Sequence, residues 1–202
     1  MTADLVRFTS AARREDPFPW YHVTETLAPE WAELLLKTFP EDGFTKVGRA
    51  GGEKSYTMRV RGLHPAAAGD LPQPWDEFLG HVVGTAYREN VERLTGLSLE
   101  GLRIEVNLWR YDQESWLDPH VDKQNKVVTQ VFYFNRDWPS DGGGDLLLLG
   151  SSSVGDVRER VAPELGSSVI LVRGENSWHA VAKGGRAGGG ERLSAQVVFH
   201  HD

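Results

Sequence analysis

The chain has 202 residues, a net charge of −7 and 40% hydrophobic residues, which suits one domain with a real core. The absence of cysteine excludes disulfides and thiolate metal sites and fits a reducing cytoplasm, the expected location. No Lys/Arg block offers a footprint for a phosphate backbone, no apolar run approaches the ~18 residues that span a bilayer, and the start of the chain lacks the charged-then-apolar order of a signal peptide; neither nucleic acid nor membrane is expected as a partner.

Residues 1–16 are polar and read as an arm. Asp16-Pro17-Phe18-Pro19-Trp20 is extended, because residues before proline avoid the α region. Trp20–Thr24 reads as a strand and Ala28–Phe39 as a helix, with Pro29 in its first turn and Trp31, Leu34, Leu35 and Phe39 at helical spacing. Phe44–Gly52 is loop-like, Tyr56–Arg61 a strand, and His64–Pro74 a loop. Trp75–Leu94 reads as one long helix with an apolar stripe from Phe78 to Leu94.

From Leu102 short apolar runs alternate with Gly, Pro, Asp and Ser clusters. Ile104–Tyr111, Val127–Asn135, Asp145–Leu149, Ser167–Arg173, His179–Ala182 and Arg192–Phe199 read as strands, with Pro119–Asp122 and Val157–Val161 as shorter ones. About eight strands suffice for a double-sheet jelly roll. The fold class is therefore α+β, mainly β: a support region over 1–100 with bracing helices, and a jelly-roll core over 101–202, in one domain.

The chemistry lies in the second half. In a strand, residues i and i+2 point the same way, so His120 and Asp122 can reach one metal while Val121 faces the packing. His179 opens a strand 57 positions after Asp122. His-x-Asp alone is weak, since chance produces it often, and a lone histidine at a strand edge is usually a satisfied polar residue. Together, two histidines and one carboxylate take three facial positions on a transition metal and leave the others open, a ligand set for non-haem Fe(II) oxygen chemistry. His200-His201-Asp202 also looks metal-like, but it sits at a chain end, where fraying is the default.

Arg192 and Ser194 share strand parity downstream of the second histidine. A guanidinium is a planar, permanently charged, bidentate partner for a buried carboxylate, here the far carboxylate of 2-oxoglutarate. Arg186 in the preceding loop competes for that role, and Tyr111 offers a phenolic hydrogen bond.

These residues resemble the 2-oxoglutarate/Fe(II)-dependent oxygenase superfamily, and within it the small bacterial prolyl 4-hydroxylase-like members. The likeness covers most of the chain: "DPFPWYHVTETLAPEWAELLLKTFP" resembles the opening strand and helix, "YDQESWLDPHVD" the segment with the tyrosine and first two ligands, "VFYFNRDWPSDGGGDLLLL" a strand–loop–strand with a Gly-Gly turn, and "SWHAV" and "RLSAQVVF" the distal-ligand and cosubstrate strands. The resemblance implies a double-stranded β-helix with Fe(II) at one mouth, 2-oxoglutarate as cosubstrate and O2 as oxidant. It implies a dioxygenase in which His120, Asp122 and His179 form the metal site and catalytic centre, with Arg192, Ser194 and Tyr111 on the cosubstrate. Animal prolyl hydroxylases usually offer lysine where this chain has Arg192, and the histidine-to-arginine gap is lengthened by Gly184–Gly190, which points away from a protein-proline substrate. Val198 stands where the nucleic-acid demethylase branch has a second arginine, cupins commonly use His-x-His with glutamate, and halogenases lack the carboxylate that Asp122 supplies.

The expected reaction is hydroxylation of an unactivated C–H bond of a small molecule, an amino acid or a natural-product biosynthetic intermediate. The alternatives are hydroxylation of a protein or peptide side chain and a catalytically inactive jelly-roll binding module. Candidate substrate residues are Arg59, Asn107, Trp109 and Trp178, with Lys123, Gln124 and Asn125 after the metal motif and the loop Asn135–Gly144 as further candidates.

Overall fold

The computed structural model describes residues 5–51, 54–65, 70–139, 143–184 and 190–202. Twelve strands and three helices follow one another along them: β1 (Ala11–Arg14), β2 (Trp20–Val23), α1 (Pro29–Lys37), β3 (Thr45–Arg49), β4 (Tyr56–His64), α2 (Gln73–Val82), α3 (Thr85–Thr95), β5 (Arg103–Tyr111), β6 (Trp116–His120), β7 (Lys126–Tyr133), β8 (Leu146–Leu149), β9 (Val157–Val161), β10 (Ser168–Val172), β11 (His179–Val181) and β12 (Arg192–His200). All pairings between these strands are antiparallel.

The larger layer runs β1-β2-β10-β7-β12-β5-β4, and the smaller runs β6-β11-β8-β9; a short β4–β6 pairing joins them into one curled sheet. This is the expected jelly-roll architecture. Curling leaves β1, β3 and β9 as edge strands, and all three are largely polar, which discourages pairing with other chains.

Parity gives each central strand a helix-side face and an inward face. Along β12, Ala195, Val197 and Phe199 pack toward the helices, while Arg192, Ser194 and Gln196 line the interior of the roll. On β7, Val128 and Phe132 join the helix-side core, while Thr129 and Val131 face inward. The helix-side core gathers Leu35 of α1, Trp75, Phe78 and Val82 of α2, and Tyr87 and Val91 of α3. Trp75 packs edge-on against Phe39 and Phe134 and donates its indole N–H to the Leu35 carbonyl, tying α2 to α1. A second cluster, Trp20, Val131, Leu148, Val169 and Leu171 among it, fills the space between the two layers.

Four expectations from the sequence differ here. The first residues are not a free arm: Leu5 and Val6 are buried, Val6 bridges to Leu27, and β1 pairs with β2. Thr45–Arg49 is a strand, an edge paired to β4 whose polar residues hide it from an apolar-pattern reading. The long helix is two, broken at Gly84, and the apolar stripe runs on across the break because both pieces pack on the same core. Asp122 lies just beyond β6 rather than inside a strand. Most of the Gly184–Gly190 loop, including Arg186, lies outside the described residues, as do residues 140–142 of the loop Asn135–Gly144.

Candidate active site

β6 and β11 are neighbours in the smaller layer, and their register sets His120 directly opposite His179. Opposed residues on adjacent antiparallel strands bring side chains within reach of one another. The two imidazole centroids are 4.2 Å apart, and Asp122 follows two residues after His120 with its Oδ1 4.0 Å from the His120 Nε2. One ligand atom from each of His120, Asp122 and His179 lies within 4.8 Å of the others. It is the one such group of three among the described residues, and the terminal His200, His201 and Asp202 make none.

Both histidines are oriented by backbone. The Asp118 carbonyl sits 3.0 Å from His120 Nδ1, and the Ser177 carbonyl 2.9 Å from His179 Nδ1. A carbonyl can only accept, so each Nδ1 carries the proton and each Nε2 presents a lone pair. Burial, then the neighbouring His179 and Lys54, pushes the His120 pKa down to about 2, and burial lowers that of His179 as well. Both rings are therefore neutral at physiological pH, the form that binds metal.

Asp122 is held from the other side. Lys126 Nζ is 2.7 Å from Oδ1, and Thr129 Oγ1 donates to Oδ2 at 3.1 Å. Burial alone would raise this carboxyl, but Lys126 and the two histidines outweigh it and keep it well below the carboxylate range. The three residues thus combine two neutral nitrogen donors and one anionic oxygen donor, a set that fits Fe(II) and leaves part of its sphere free for other ligands. Lys126 and Thr129 were not singled out in the sequence; their contact runs through the turn after Asp122, and no periodic pattern announces it.

A cavity of about 370 Å³ opens from this group into the roll. Arg192 lies on its wall, only 2% exposed, with its guanidinium 4.9 Å from the Tyr111 ring and 5.1 Å from the Tyr133 ring. One of its terminal nitrogens donates to Ser194 Oγ at 3.2 Å. Its Nε and the Tyr133 hydroxyl are buried without hydrogen-bond partners among the described residues. A buried cation with spare donors costs several kcal/mol unless an anion joins it. Burial raises the Tyr111 pKa to about 12, with Arg192 opposing, and that of Tyr133 in the same direction, so both stay phenols and can donate. Arginine, a serine hydroxyl and two phenols suit one end of a dicarboxylate such as 2-oxoglutarate. Tyr133 is an addition to the sequence reading; a tyrosine amid VFYF reads as packing.

The other candidates separate. Trp109 and Tyr111 line the cavity, and the Trp109 indole N–H is buried with no partner among the described residues. Asn107, on the same strand face, is engaged with Glu105 at 2.6 Å and does not line it. Arg59 lies outside: Tyr56, Met58 and Val60 take the inward parity of β4, and Arg59 pairs with Glu191, which also binds Arg110 and so ties β4 and β5 to the start of β12. Trp178 packs with Leu147, Leu149 and Ala180 outside the cavity. Lys123 lines the mouth, whereas Gln124 and Asn125 do not. Beside Arg192, Gly143 and Gly144 turn with φ of +67° and +73°, and a Cβ on Gly143 would come within 2.4 Å of the Lys183 carbonyl. Only glycine fits so close an approach in the left-handed region.

Comparison with curated proteins gives no match. Among solved structures, a prolyl-4-hydroxylase from Pseudomonas putida is similar at 22% identity, covering 93% of this chain and 95% of that one, with a TM-score of 0.70. A Trichoplax adhaerens prolyl hydroxylase in complex with a hypoxia inducible factor peptide fragment is similar at 13% identity over 90% and 83%, TM-score 0.62. The non-heme alpha ketoglutarate dependent carbocyclase SnoK of nogalamycin biosynthesis is similar at 14% identity over 99% and 84%, TM-score 0.59. At these identities the likeness is one of fold. The model of the 2OG-Fe(II) oxygenase superfamily matches residues 106–200, the stretch that carries His120, Asp122, His179 and Arg192. Through that segment the chain matches the 2OG-Fe(II) oxygenase superfamily, whose enzymes use Fe(II), 2-oxoglutarate and O2.

Proposed function

We propose that this dioxygenase hydroxylates an unactivated C–H bond of a small molecule, an amino acid or a natural-product intermediate of similar size. Substrate C–H, O2 and 2-oxoglutarate become C–OH, succinate and CO2. Fe(II), when bound, supplies oxygen activation; the chain supplies everything that positions it. His120, Asp122 and His179 are its ligands, the histidines through Nε2. Arg192 and Ser194 hold the far carboxylate of 2-oxoglutarate, and Tyr111 donates to it. Apolar walls from Met58, Leu117, Val131, Leu146, Leu171 and Val181 keep water from the reacting atoms. Residues 1–100 brace this centre within one domain.

The observation that carries the reading is the cavity of about 370 Å³ lined by both the ligand group and Arg192. That size belongs to sites for small ligands. After the cosubstrate is seated, space remains for a compact molecule rather than a length of chain. The carbocyclase SnoK, a structural neighbour, comes from antibiotic biosynthesis. A peptide side chain is the second reading, favoured by the Trichoplax neighbour, whose structure holds a peptide fragment. We place the enzyme's work in the cytoplasm, since a cysteine-free chain suits a reducing compartment. Succinate formation stimulated by free amino acids and related metabolites, set against proline-containing peptides, separates the two readings. A product heavier by one oxygen supports hydroxylation. A chlorinated product in excess chloride contradicts it, because Asp122 fills the place that a halide would need.

A further inference from the structure

We propose that Glu191 is a positioning residue for the cosubstrate: gripped by Arg59 and Arg110 on the outer face of the roll, it fixes the start of β12 and so the place of the Arg192 guanidinium on the inner face. This rests on the assignment of Arg192 to the far carboxylate of 2-oxoglutarate.

Strand parity sets three charged residues back to back with the cosubstrate end. Met58, Tyr111 and Arg192 line the cavity, and their chain neighbours Arg59, Arg110 and Glu191 do not. The sheet register pairs Arg59 with Arg110 and Arg192 with Tyr111. Glu191 gives one carboxylate oxygen to each arginine: Oε1 accepts from Arg59, and Oε2 accepts from Arg110 Nε at 2.8 Å. Two adjacent guanidiniums repel unless a carboxylate joins them. Burial, then Arg59, lowers the Arg110 pKa, so the two cations do sense one another. Arg110 is fixed in turn: it donates to the Pro40 and Glu41 carbonyls at 3.4 and 3.3 Å and lies 5.4 Å from the Phe44 ring centre. The Glu191 and Arg110 side chains are only 18% and 19% exposed, so this pair is screened less than a surface contact.

Arg192 needs such a hold on its upstream side. Downstream, Leu193 is already fixed: its N–H donates to Asn135 Oδ1 at 2.8 Å, and its carbonyl accepts from the Asn135 amide and the Phe134 N–H, both at 3.1 Å. Upstream, five of the seven residues 184–190 are glycine and bring no side chain to dock. Glu191 supplies the grip there. Inside, the guanidinium has little latitude, set 4.9 and 5.1 Å from the Tyr111 and Tyr133 rings and donating to Ser194. Bidentate contact with a carboxylate requires that plane to be aimed. A misplacement of ~1 Å can cost about a hundredfold.

The test compares Glu191→Gln with the unmodified full chain, each loaded with redox-inert Zn(II) so that binding is read apart from chemistry, and measures 2-oxoglutarate affinity by calorimetry. The sign of the change is informative. On charge alone, loss of a carboxylate beside an anion site tightens binding, whereas loss of position weakens it. The expected result is binding about tenfold weaker, short of the loss that a full misplacement brings. Metal affinity, read by competition with a chelator, should stay unchanged. In an Arg192→Ala background the same substitution should cost nothing further, because the two residues act as one unit. A crystal structure of Glu191→Gln should show the Arg192 guanidinium shifted from the Tyr111 ring. Tyr87→Phe, which loses a buried hydrogen bond to Gln130 in the helix-side core, controls for stability alone and should leave 2-oxoglutarate affinity unchanged. If Glu191→Gln does not fold, Arg59→Gln, which breaks only the more exposed pair, takes its place, with a several-fold loss expected. Unchanged or tighter binding with Arg192 unmoved, a further loss in the Arg192→Ala background, or an equal loss in Tyr87→Phe would each overturn the proposal. The cosubstrate reading beneath it fails separately: normal 2-oxoglutarate affinity in Arg192→Ala alone defeats that assignment, whatever Glu191 does to the position of Arg192.

Discussion

The two ends of the cavity are built on different principles. At the metal end the chain satisfies itself: each histidine Nδ1 has a carbonyl, and both Asp122 oxygens have a donor, Lys126 or Thr129. At the other end Arg192 Nε and the Tyr133 hydroxyl are buried with no partner among the described residues. The first end is preorganised from within, as metal sites are when outer partners orient the ligands. The second leaves donors that an anion from outside would complete. Loss of a residue should therefore hurt metal binding at one end and cosubstrate affinity at the other, and the two should be separable.

The largest effect is expected at the metal end. His179→Ala should abolish both Fe(II) binding and succinate formation, because two donors cannot hold the ion in a facial arrangement. Full metal affinity in that variant, measured by anaerobic titration, would show that the ion sits elsewhere. Next comes the cosubstrate end: Arg192→Ala removes the partner of a buried carboxylate, at a cost of roughly 3–5 kcal/mol, more than a hundredfold in 2-oxoglutarate KM. Metal binding in the same protein should stay near normal. If both fall together, the two ends are one unit and the contrast is lost.

Thr129→Val keeps volume and removes the donor to Asp122 Oδ2. Loss of one orienting partner typically costs about 10–100-fold in metal affinity. An unchanged metal affinity, read by competition with a chelator, would mean that Lys126 alone holds the carboxylate.

The smallest effect is a slope. His120 and His179 are neutral in the folded metal-free protein, with pKa values below the ordinary 6.5, that of His120 at about 2. Below pH 6.5 the unfolded chain binds protons that the folded one does not, so stability falls as pH falls, by up to about 1.4 kcal/mol per pH unit for each histidine. For His120 the loss continues down to its folded value. Denaturant titration of the metal-free protein at pH 7.5, 6 and 5 should show this decline, and His120→Gln should flatten it; parallel curves for the two proteins would remove His120 from the account.

Much of this was legible in the sequence, for identifiable reasons. Buried strands such as those holding Val127–Asn135 and Ser167–Arg173 announce themselves as short apolar runs between turn residues. His120, Asp122, His179, Arg192, Ser194, Trp109 and Tyr111 all line the same cavity; period-two parity carries Trp109 with Tyr111 and Arg192 with Ser194, and strand order brings His179 to His120. Contacts across turns were not legible, which is why Lys126 and Thr129 were overlooked. Face was the other gap: parity says that Arg59 and Met58 point opposite ways, but only the packed sheet says which one is inside. Trp178 next to a ligand invited a role at the site, yet adjacency in a strand sends neighbours to opposite faces. The polar edges β1 and β3 escaped notice because sheet pairing, not burial, makes them strands.

The most direct test of the account is a crystal structure of the protein with Mn(II) in place of Fe(II) and with 2-oxoglutarate, grown without oxygen, the metal located by its anomalous signal. The account predicts one ion bound by Nε2 of His120, Nε2 of His179 and the Asp122 carboxylate, with the far carboxylate of 2-oxoglutarate on Arg192 and Ser194. An ion placed away from these three side chains, or a cosubstrate whose far carboxylate turns from Arg192 toward Lys123 at the mouth, would contradict it.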